Sequence, residues 1–240
     1  MASNAELLKI SKTLKDIFEG TVWKQLKGSR AITDRTLDIE VLECLKNVKI
    51  NEPDFKLRFS KPIDVIYKAE KGRTPYDILS YGIINNKRFK VFINNKFGNL
   101  YSKARNDITT YNNLLRLYLN IYQQRIKKIT IDKNTIYKRI LGKEIIGYGV
   151  FVFDKEGRGS KFFLLEEVNE EFYINPRNTM FQIKYNPNLV NPVDYYSFII
   201  KLIDSVIDSL AKSKASIETE IIVLKTIKQQ IIELKESKKK

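Results

Sequence analysis

The chain has 240 residues, enough for one or two domains with a real core, and 43 Lys and Arg against 28 Asp and Glu give it a formal charge of +15. It has no histidine and a single cysteine, Cys44, which excludes catalytic sites built on histidine, internal disulfides and cysteine-based zinc sites. A hydrolase made from this sequence has to work with carboxylates, amides, lysines and a hard metal such as Mg²⁺.

The positive charge indicates a polyanionic partner, because a protein that neutralises phosphates releases their counterions. A membrane surface is the competing anionic partner. It fits less well, since the sequence shows no run long enough to span a bilayer and no basic amphipathic N-terminal anchor. Met1–Leu14 alternates charged and apolar residues, so we do not expect it to be a signal peptide. We therefore expect a cytoplasmic protein encoded by a bacterium, a phage or a plasmid.

Two helices are predicted at the N-terminal end. Ala5–Glu19 carries an apolar stripe at helical spacing, and Gly20 is expected to end that helix. Thr33 or Asp34 is expected to cap a second helix, which runs to about Asn47 with its apolar residues on one face.

Short strands follow the two helices. Alternating runs predict them at Phe55–Phe59, Ile63–Tyr67, Tyr76–Ile84 and Phe89–Ile93. Asn85–Asn86 stands between the last two and has the chemistry of a tight hairpin turn. These two strands are therefore predicted to pair.

The middle of the chain returns to helix and then to strands. Asp107 or Thr109 is predicted to begin a third helix, and Arg125–Lys143 is predicted to be partly helical. Further strands are predicted at Gly147–Phe153, Lys161–Leu165 and Met180–Tyr185.

The C-terminal segment is predicted to be helical from Val193 or Asp194 onward, because apolar residues recur there every seven positions. Such a run is long for one globular helix. Either it breaks near Lys212–Ala215 into a hairpin packed on the core, or it forms a coiled-coil arm of a dimer.

The order of helices and strands predicts an α/β or α+β fold built in layers. We predict a single domain over residues 1–240, with 194–240 as a C-terminal helical segment and a candidate dimerisation surface.

Three residues of the predicted hairpin form a candidate catalytic site. Asp77 opens its first strand, while Asn94 and Lys96 stand two apart on the returning strand and so point to the same face. Two oxygen ligands can hold Mg²⁺ at a scissile phosphate, and a lysine can polarise the attacking water or the developing charge. The alternative is that Asp77 only caps a turn and Lys96 is a solvated charge, since a lysine-rich chain often matches this spacing by chance.

The segments PYD (Pro75–Asp77) and INNK (Ile93–Lys96) resemble the PD…(D/E)xK signature of the type II restriction endonuclease superfamily. Three further segments are similar, in the same order, to segments of its SwaI-like subgroup: NDITTYNNLL (Asn106–Leu115), LEEVNEEFYINP (Leu165–Pro176) and the MFQIKYNP that follows. The resemblance covers roughly Ile63 to the C-terminal helix, whereas the N-terminal helices match poorly. It implies a core in which a central mixed sheet is flanked by helices.

The resemblance also implies a function: a Mg²⁺-dependent, sequence-specific double-stranded DNA endonuclease. Asp77 would be the first metal ligand, Asn94 the second and Lys96 the catalytic lysine. The family often adds an acidic residue from an N-terminal helix, and Asp38 or Glu40 could serve. A homodimer cutting a palindromic site, and a cognate methyltransferase acting on the same site, are implied as well.

Asn94 departs from the family pattern, which has Asp or Glu at this position. A neutral amide oxygen ligates Mg²⁺ more weakly; some superfamily members use Asn-x-Lys, and the same change would also disable an enzyme that still binds DNA. The alternative function is therefore a catalytically weakened or inactive sequence-specific DNA-binding protein. A second rival is a structural protein whose charge serves only solubility, which predicts no salt-dependent affinity for DNA.

Residues that contact DNA are expected in two segments: Arg105, Asn106, Thr109, Thr110 and Asn113 in the first, and Arg177, Asn178, Gln182, Lys184 and Asn186 in the second. Arg or Lys can pair with guanine and Asn or Gln with adenine, while main-chain N–H groups at a helix N-terminus favour phosphate. The plainer alternatives are a polar surface strand and a helix cap formed by Asp107 or Thr109.

Overall fold

The computed structural model describes residues 4–27, 32–33, 35–62, 75–119, 144–212 and 218–237. They fall into two compact units. The first lies within Met1–Arg105, Lys143–Asn169 and Lys184–Pro192, and the second within Asn106–Gly142, Glu170–Ile183 and Val193–Lys240. The single domain expected for residues 1–240 stays a prediction.

The first unit opens with a long helical run. Helix α1 (Asn4–Lys15) continues through a π-helical stretch (Asp16–Val22) into α2 (Trp23–Leu26). The prediction that Gly20 ends the helix is wrong. A glycine inside a helix costs only about 1 kcal/mol relative to alanine, and burial of Leu26 beyond it favours continuation.

Helix α3 (Leu37–Leu45) begins later than expected, and Thr36 precedes it. The carbonyl of Thr33 accepts a hydrogen bond from the Leu37 main-chain N–H at 3.0 Å, which is the spacing of a helical turn. The N-cap residue of α3 is nevertheless Thr36, three residues after Thr33. The other predicted cap, Asp34, lies outside the described residues. Leu37 is the first buried residue of the helix, and the apolar face begins with it.

Six strands form the sheet of the first unit: β1 (Ile50–Asn51), β2 (Phe55–Ser60), β3 (Ile78–Ile84), β4 (Lys87–Gly98), β6 (Glu144–Asp154) and β7 (Ser160–Leu164). They lie in the order β1-β2-β3-β4-β6-β7, and every pair is antiparallel except β4 and β6, which are parallel. The predicted strands within the described residues are confirmed, whereas Ile63–Tyr67 lies outside them.

The hairpin of β3 and β4 has the turn that its sequence predicts. Asn85 (φ 47°) and Asn86 (φ 62°) both adopt the left-handed region. Two positive φ values are what a type I′ turn needs, and asparagine tolerates them better than most residues. This confirms the predicted pairing of the two strands.

The core of the first unit lies between the helices and one face of the sheet. Phe89, Val91 and Ile93 alternate along β4 and are buried in one cluster with residues of α1, α3 and the π-helical stretch. Polar contacts anchor α1 as well, because the buried carboxylate of Glu167 accepts hydrogen bonds from Ser11 Oγ and Lys15 Nζ, each at 2.8 Å.

The second unit contains a three-stranded antiparallel sheet in the order β5 (Asn106–Thr110), β9 (Met180–Ile183) and β8 (Tyr173–Ile174), together with α4 (Tyr111–Leu119). The prediction that Asp107 or Thr109 begins α4 is wrong, because both lie in β5. Pairing with β9 extends this segment, and the helix starts only where the pairing ends.

Two helices close the second unit, α5 (Tyr195–Ala211) and α6 (Glu218–Ser237). The side chain of Asp194 accepts from the Ser197 main-chain N–H at 3.1 Å and caps α5, as expected. Lys228 contacts Asp204 at 2.6 Å and Lys235 contacts Asp194 at 3.7 Å, which makes the pair an antiparallel hairpin. The predicted break near Lys212–Ala215 is therefore confirmed.

None of the helices formed by the described residues is long and apolar enough to cross a membrane. The α+β class, with a mixed sheet flanked by helices and a helical C-terminal segment, is confirmed.

Candidate functional site

Asp77 lies just before β3 and is held against β4 by two hydrogen bonds. Its main-chain N–H donates to the carbonyl of Ile93 at 2.8 Å, and its Oδ2 accepts from the main-chain N–H of Asn95 at 2.7 Å. Pro75 and Tyr76 are buried, and the half-buried Asp77 follows them immediately before the first residue of β3. The carboxylate is thus fixed at the part of β4 that carries Asn94 and Lys96.

Asn94 and Lys96 are half-buried and alternate with Asn95 along β4. The amide Nδ2 of Asn94 donates to the hydroxyl of Tyr148 on β6 at 3.1 Å, and that hydroxyl donates to the carbonyl of Pro75 at 3.0 Å. The strand alternation places Lys96 on the same face as Asn94. Tyr148 therefore sets the orientation of the Asn94 amide, a role that the sequence pattern did not indicate.

Asn95 is the second residue that the sequence analysis missed. Its side chain points to the opposite face from Asn94, and its Nδ2 donates to Asp38 Oδ1 on α3 at 2.9 Å. One residue therefore bonds to two carboxylates, through its main chain to Asp77 and through its side chain to Asp38. The sequence does contain one sign of this role. The inward-facing positions of β4 are apolar up to Ile93, and the next such position is the polar Asn95.

Of the two acidic candidates on α3, Asp38 is the one bonded to the hairpin. Burial, and then the negative charge of Glu40, raise the pKa of the Cys44 thiol above its usual value.

The oxygen donors of this cluster fit a hard divalent cation. Asp38 and Asp77 offer carboxylate oxygens and Asn94 offers an amide oxygen, which are ligands that Mg²⁺ prefers. Asn95 Oδ1 is buried and meets no hydrogen-bond donor among the described residues. No group of three or more His, Cys, Asp or Glu suited to a metal occurs in the described part of the chain. A cation here would therefore depend on two carboxylates and neutral oxygens.

The expected DNA contacts around α4 are largely engaged in local hydrogen bonds. Thr110 Oγ1 accepts from the Asn113 main-chain N–H at 3.3 Å, so Thr110 acts as the helix cap expected of Asp107 or Thr109. Thr109 is buried, and its hydroxyl accepts from Asn113 Nδ2 at 3.0 Å. The structure brings these three residues together as a cap at the start of α4.

The expected contacts around β9 lie in two settings. Gln182 Nε2 donates to Asp107 Oδ1 across β9 and β5. Arg177 and Asn178 are exposed in the turn between β8 and β9, where Asn178 Oδ1 accepts from the Met180 main-chain N–H at 3.1 Å. Asn178 can therefore offer a base its amide N–H groups more readily than its oxygen.

The remaining expected DNA contacts are distributed over both units. Arg105 and Asn186 are exposed and Lys184 is half-buried in the first unit, while the half-buried Asn106 opens β5 in the second. Side chains of this kind suit phosphate or base contacts, and their roles stay predictions.

A mixed sheet flanked by helices, with a helical C-terminal segment, is consistent with a restriction-endonuclease-like fold. No protein-family model matches the chain. The chain is 56% identical over 236 residues to the type II restriction enzyme MjaIV of Methanocaldococcus jannaschii, a match that covers 98% of this chain and 96% of that enzyme.

At this identity over nearly its whole length, the chain belongs to the type II restriction enzymes, which are site-specific deoxyribonucleases. The prediction of an enzyme of this class is confirmed. The similarity extends over the N-terminal helices, where the resemblance to the superfamily segments was poor.

Proposed function

We propose that this restriction enzyme is a Mg²⁺-dependent endonuclease of the PD-(D/E)xK superfamily, akin to its SwaI-like subgroup, that hydrolyses double-stranded DNA at a specific sequence. The hydrogen bond from the Asn95 main chain to the Asp77 carboxylate carries this proposal. It fixes an acid beside the strand that bears Asn94 and Lys96. The family supports DNA as the substrate, and the charge of +15 suits a polyanion.

The site residues have different roles in this proposal. Asp77 and Asn94 hold the cation, with Asp38 as a further ligand, and Tyr148 orients the Asn94 amide. When bound, Mg²⁺ neutralises charge at the phosphate and acidifies the attacking water. The ammonium group of Lys96 stabilises the negative charge that develops on the phosphate oxygens.

The test is the pair of variants Lys96→Ala and Lys56→Ala. Both remove one lysine charge from a strand of the same sheet, but Lys56 is exposed on β2. Loss of a group that stabilises developing charge typically slows a reaction about 100- to 1,000-fold. We expect this loss of single-turnover cleavage for Lys96→Ala, with DNA affinity measured in Ca²⁺ close to that of Lys56→Ala.

Equal cleavage rates for the two lysine variants would remove Lys96 from the mechanism. Metal dependence is tested separately. A chelator should stop plasmid cleavage by the wild-type protein, added Mg²⁺ should restore it, and Asp77→Ala should stay inactive at every Mg²⁺ concentration. Cleavage that persists in the chelator contradicts the Mg²⁺ assignment.

We further propose a homodimer that acts on a palindromic site, with a cognate methyltransferase that modifies the same site. Twofold symmetry of the protein would match twofold symmetry of the DNA. Sequencing the ends of a plasmid digest would give the site and the cut position. Sedimentation of the protein with and without that duplex would give the stoichiometry, and a monomer on an asymmetric site would contradict this part of the proposal.

A further inference from the structure

Asn95 is a polar residue in an apolar row. The inward-facing positions of β4 before it are Phe89, Val91 and Ile93, all in the hydrophobic core of the first unit. Asn95 occupies the next inward position and is only 8% exposed. Burying an amide in such a place is unfavourable unless its polar atoms are satisfied.

Only part of the Asn95 amide is satisfied by the described residues. Its Nδ2 donates to Asp38 Oδ1 at 2.9 Å, whereas its Oδ1 is buried and meets no donor among them. An apolar residue of similar size would fill this position without an orphaned acceptor. Unsatisfied buried polar groups in native proteins are often retained at functional sites.

The contacts of Asn95 join two distant parts of the chain. Its main-chain N–H donates to Asp77 Oδ2 just before β3, and its side chain donates to Asp38 in the first turn of α3. The main-chain bond survives any substitution at position 95 except proline, which has no N–H. The bond to Asp38 depends on the amide.

We propose that Asn95 is a positioning residue for the metal ligands. Its amide fixes the Asp38 carboxylate of α3 next to the strand that holds Asp77, so that both acids serve one cation. This inference rests on the proposed function, because it requires Asp38 and Asp77 to be metal ligands. Partners that orient ligands commonly change metal affinity about 10- to 100-fold when they are removed.

The experiment measures Mn²⁺ binding to the DNA-free protein by calorimetric titration, beside urea unfolding and single-turnover cleavage. Asn95→Ala should raise the Kd for Mn²⁺ about 10- to 100-fold. Asn95→Leu, which fills the position and removes the orphaned acceptor, should be at least as stable as the wild type and yet bind Mn²⁺ equally poorly. It also keeps the test open if Asn95→Ala does not fold.

Two controls separate positioning from a general effect on the fold. Ser80→Ala removes another fully buried polar group from the same sheet and should leave the Mn²⁺ affinity unchanged. In the double variant Asp38→Ala, Asn95→Ala, the loss should equal that of Asp38→Ala alone, since Asn95 acts through Asp38.

Three outcomes would overturn the inference: wild-type Mn²⁺ affinity in folded Asn95→Leu, additive losses in the double variant, or the same loss in Ser80→Ala. Failure of the proposed function gives a different result, because cleavage would then survive Asp77→Ala and Lys96→Ala. If both of those variants are inactive while Asn95→Leu binds Mn²⁺ normally, the positioning role alone is wrong.

Discussion

At the scale of single residues, the amide of Asn94 is oriented by a buried phenol. Tyr148 is fully buried, and its hydroxyl accepts from Asn94 Nδ2 and donates to the Pro75 carbonyl. This hydrogen bond turns the amide nitrogen of Asn94 toward β6. The two hydrogen bonds of Tyr148 therefore connect the entry to β3 with the Asn-x-Lys strand.

Tyr148→Phe should weaken both fold and function. It removes the partner of two polar groups, and an unsatisfied buried group costs about 1–3 kcal/mol. We expect a loss of about that size in the free energy of unfolding measured in urea, and a severalfold higher Mg²⁺ concentration for half-maximal cleavage. Tyr81→Phe on β3 serves as the control. Equal Mg²⁺ requirements in the two variants would show that Tyr148 does not orient the ligand.

Asn94→Asp tests the departure from the family pattern. A carboxylate binds Mg²⁺ more tightly than an amide oxygen, so the variant should cleave plasmid DNA at a lower Mg²⁺ concentration than the wild type. Asn94→Ala should need more Mg²⁺ than either. If the wild type is nearly inactive and Asn94→Asp greatly raises the maximal rate, the result would instead favour the alternative function, a catalytically weakened DNA-binding protein.

At the scale of elements, the β3–β4 hairpin depends on its two-residue turn. Asn86→Val places a β-branched residue at φ 62°, where L-residues lose about 1–2 kcal/mol. Asn86→Gly suits the same turn and should stay within about 0.5 kcal/mol of the wild type. Asp77 lies at the opposite end of β3, so the cleavage rate per folded molecule should be unchanged in both. A change in that rate would mean that the turn influences the site.

The turn between β6 and β7 depends on a buried acid. Asp154 Oδ1 accepts from the Leu100 main-chain N–H at 3.0 Å, and its Oδ2 accepts from Arg158 Nε at 3.1 Å. Burial opposes ionisation of Asp154, but the hydrogen bonds from Arg158 and Leu100 outweigh it and hold the pKa of Asp154 below its usual value of 3.8.

A depressed carboxylate pKa stabilises the fold at pH values well above 3.8, and this contribution is lost as the pH falls through the folded-state pKa. Asp154→Asn should therefore be less stable than the wild type at pH 7, and the difference should narrow as the pH falls below the usual carboxyl value of 3.8. Urea unfolding across this range measures both. A difference independent of pH would mean that the charge of Asp154 is not what stabilises the turn.

At the scale of the whole molecule, the charge of +15 should dominate the affinity for DNA. Each phosphate contact contributes a slope of about −0.9 to the plot of log K against log salt, so 6–10 contacts weaken binding about 10³- to 10⁵-fold between roughly 50 and 200 mM salt. We expect a linear plot with a slope of this order for duplex DNA in Ca²⁺. Lys96→Ala should reduce the slope by about one unit or less. A flat plot would contradict a phosphate-binding surface.

The sequence alone determined the features that depend on neighbouring residues. Strand alternation, the Asn85–Asn86 turn and the seven-residue repeat of the C-terminal segment predict β3, β4, α5 and α6, because each is a property of one element or one tight turn. The same local order places Asn94 and Lys96 on one face of one strand. The enzyme class also followed from the resemblance of short segments such as Pro75–Asp77 and Ile93–Lys96 to the superfamily signature, and the similarity to MjaIV confirms it.

Only the tertiary structure decided what distant residues do to one another. Asn106–Thr110 is a strand because β9, more than 70 residues later, pairs with it, and no local period records that pairing. The bond between Asn95 and Asp38 likewise joins positions 57 residues apart, on a strand and a helix. A periodic pattern tells which face of an element is buried, but which side chains meet across that buried face depends on how the elements pack.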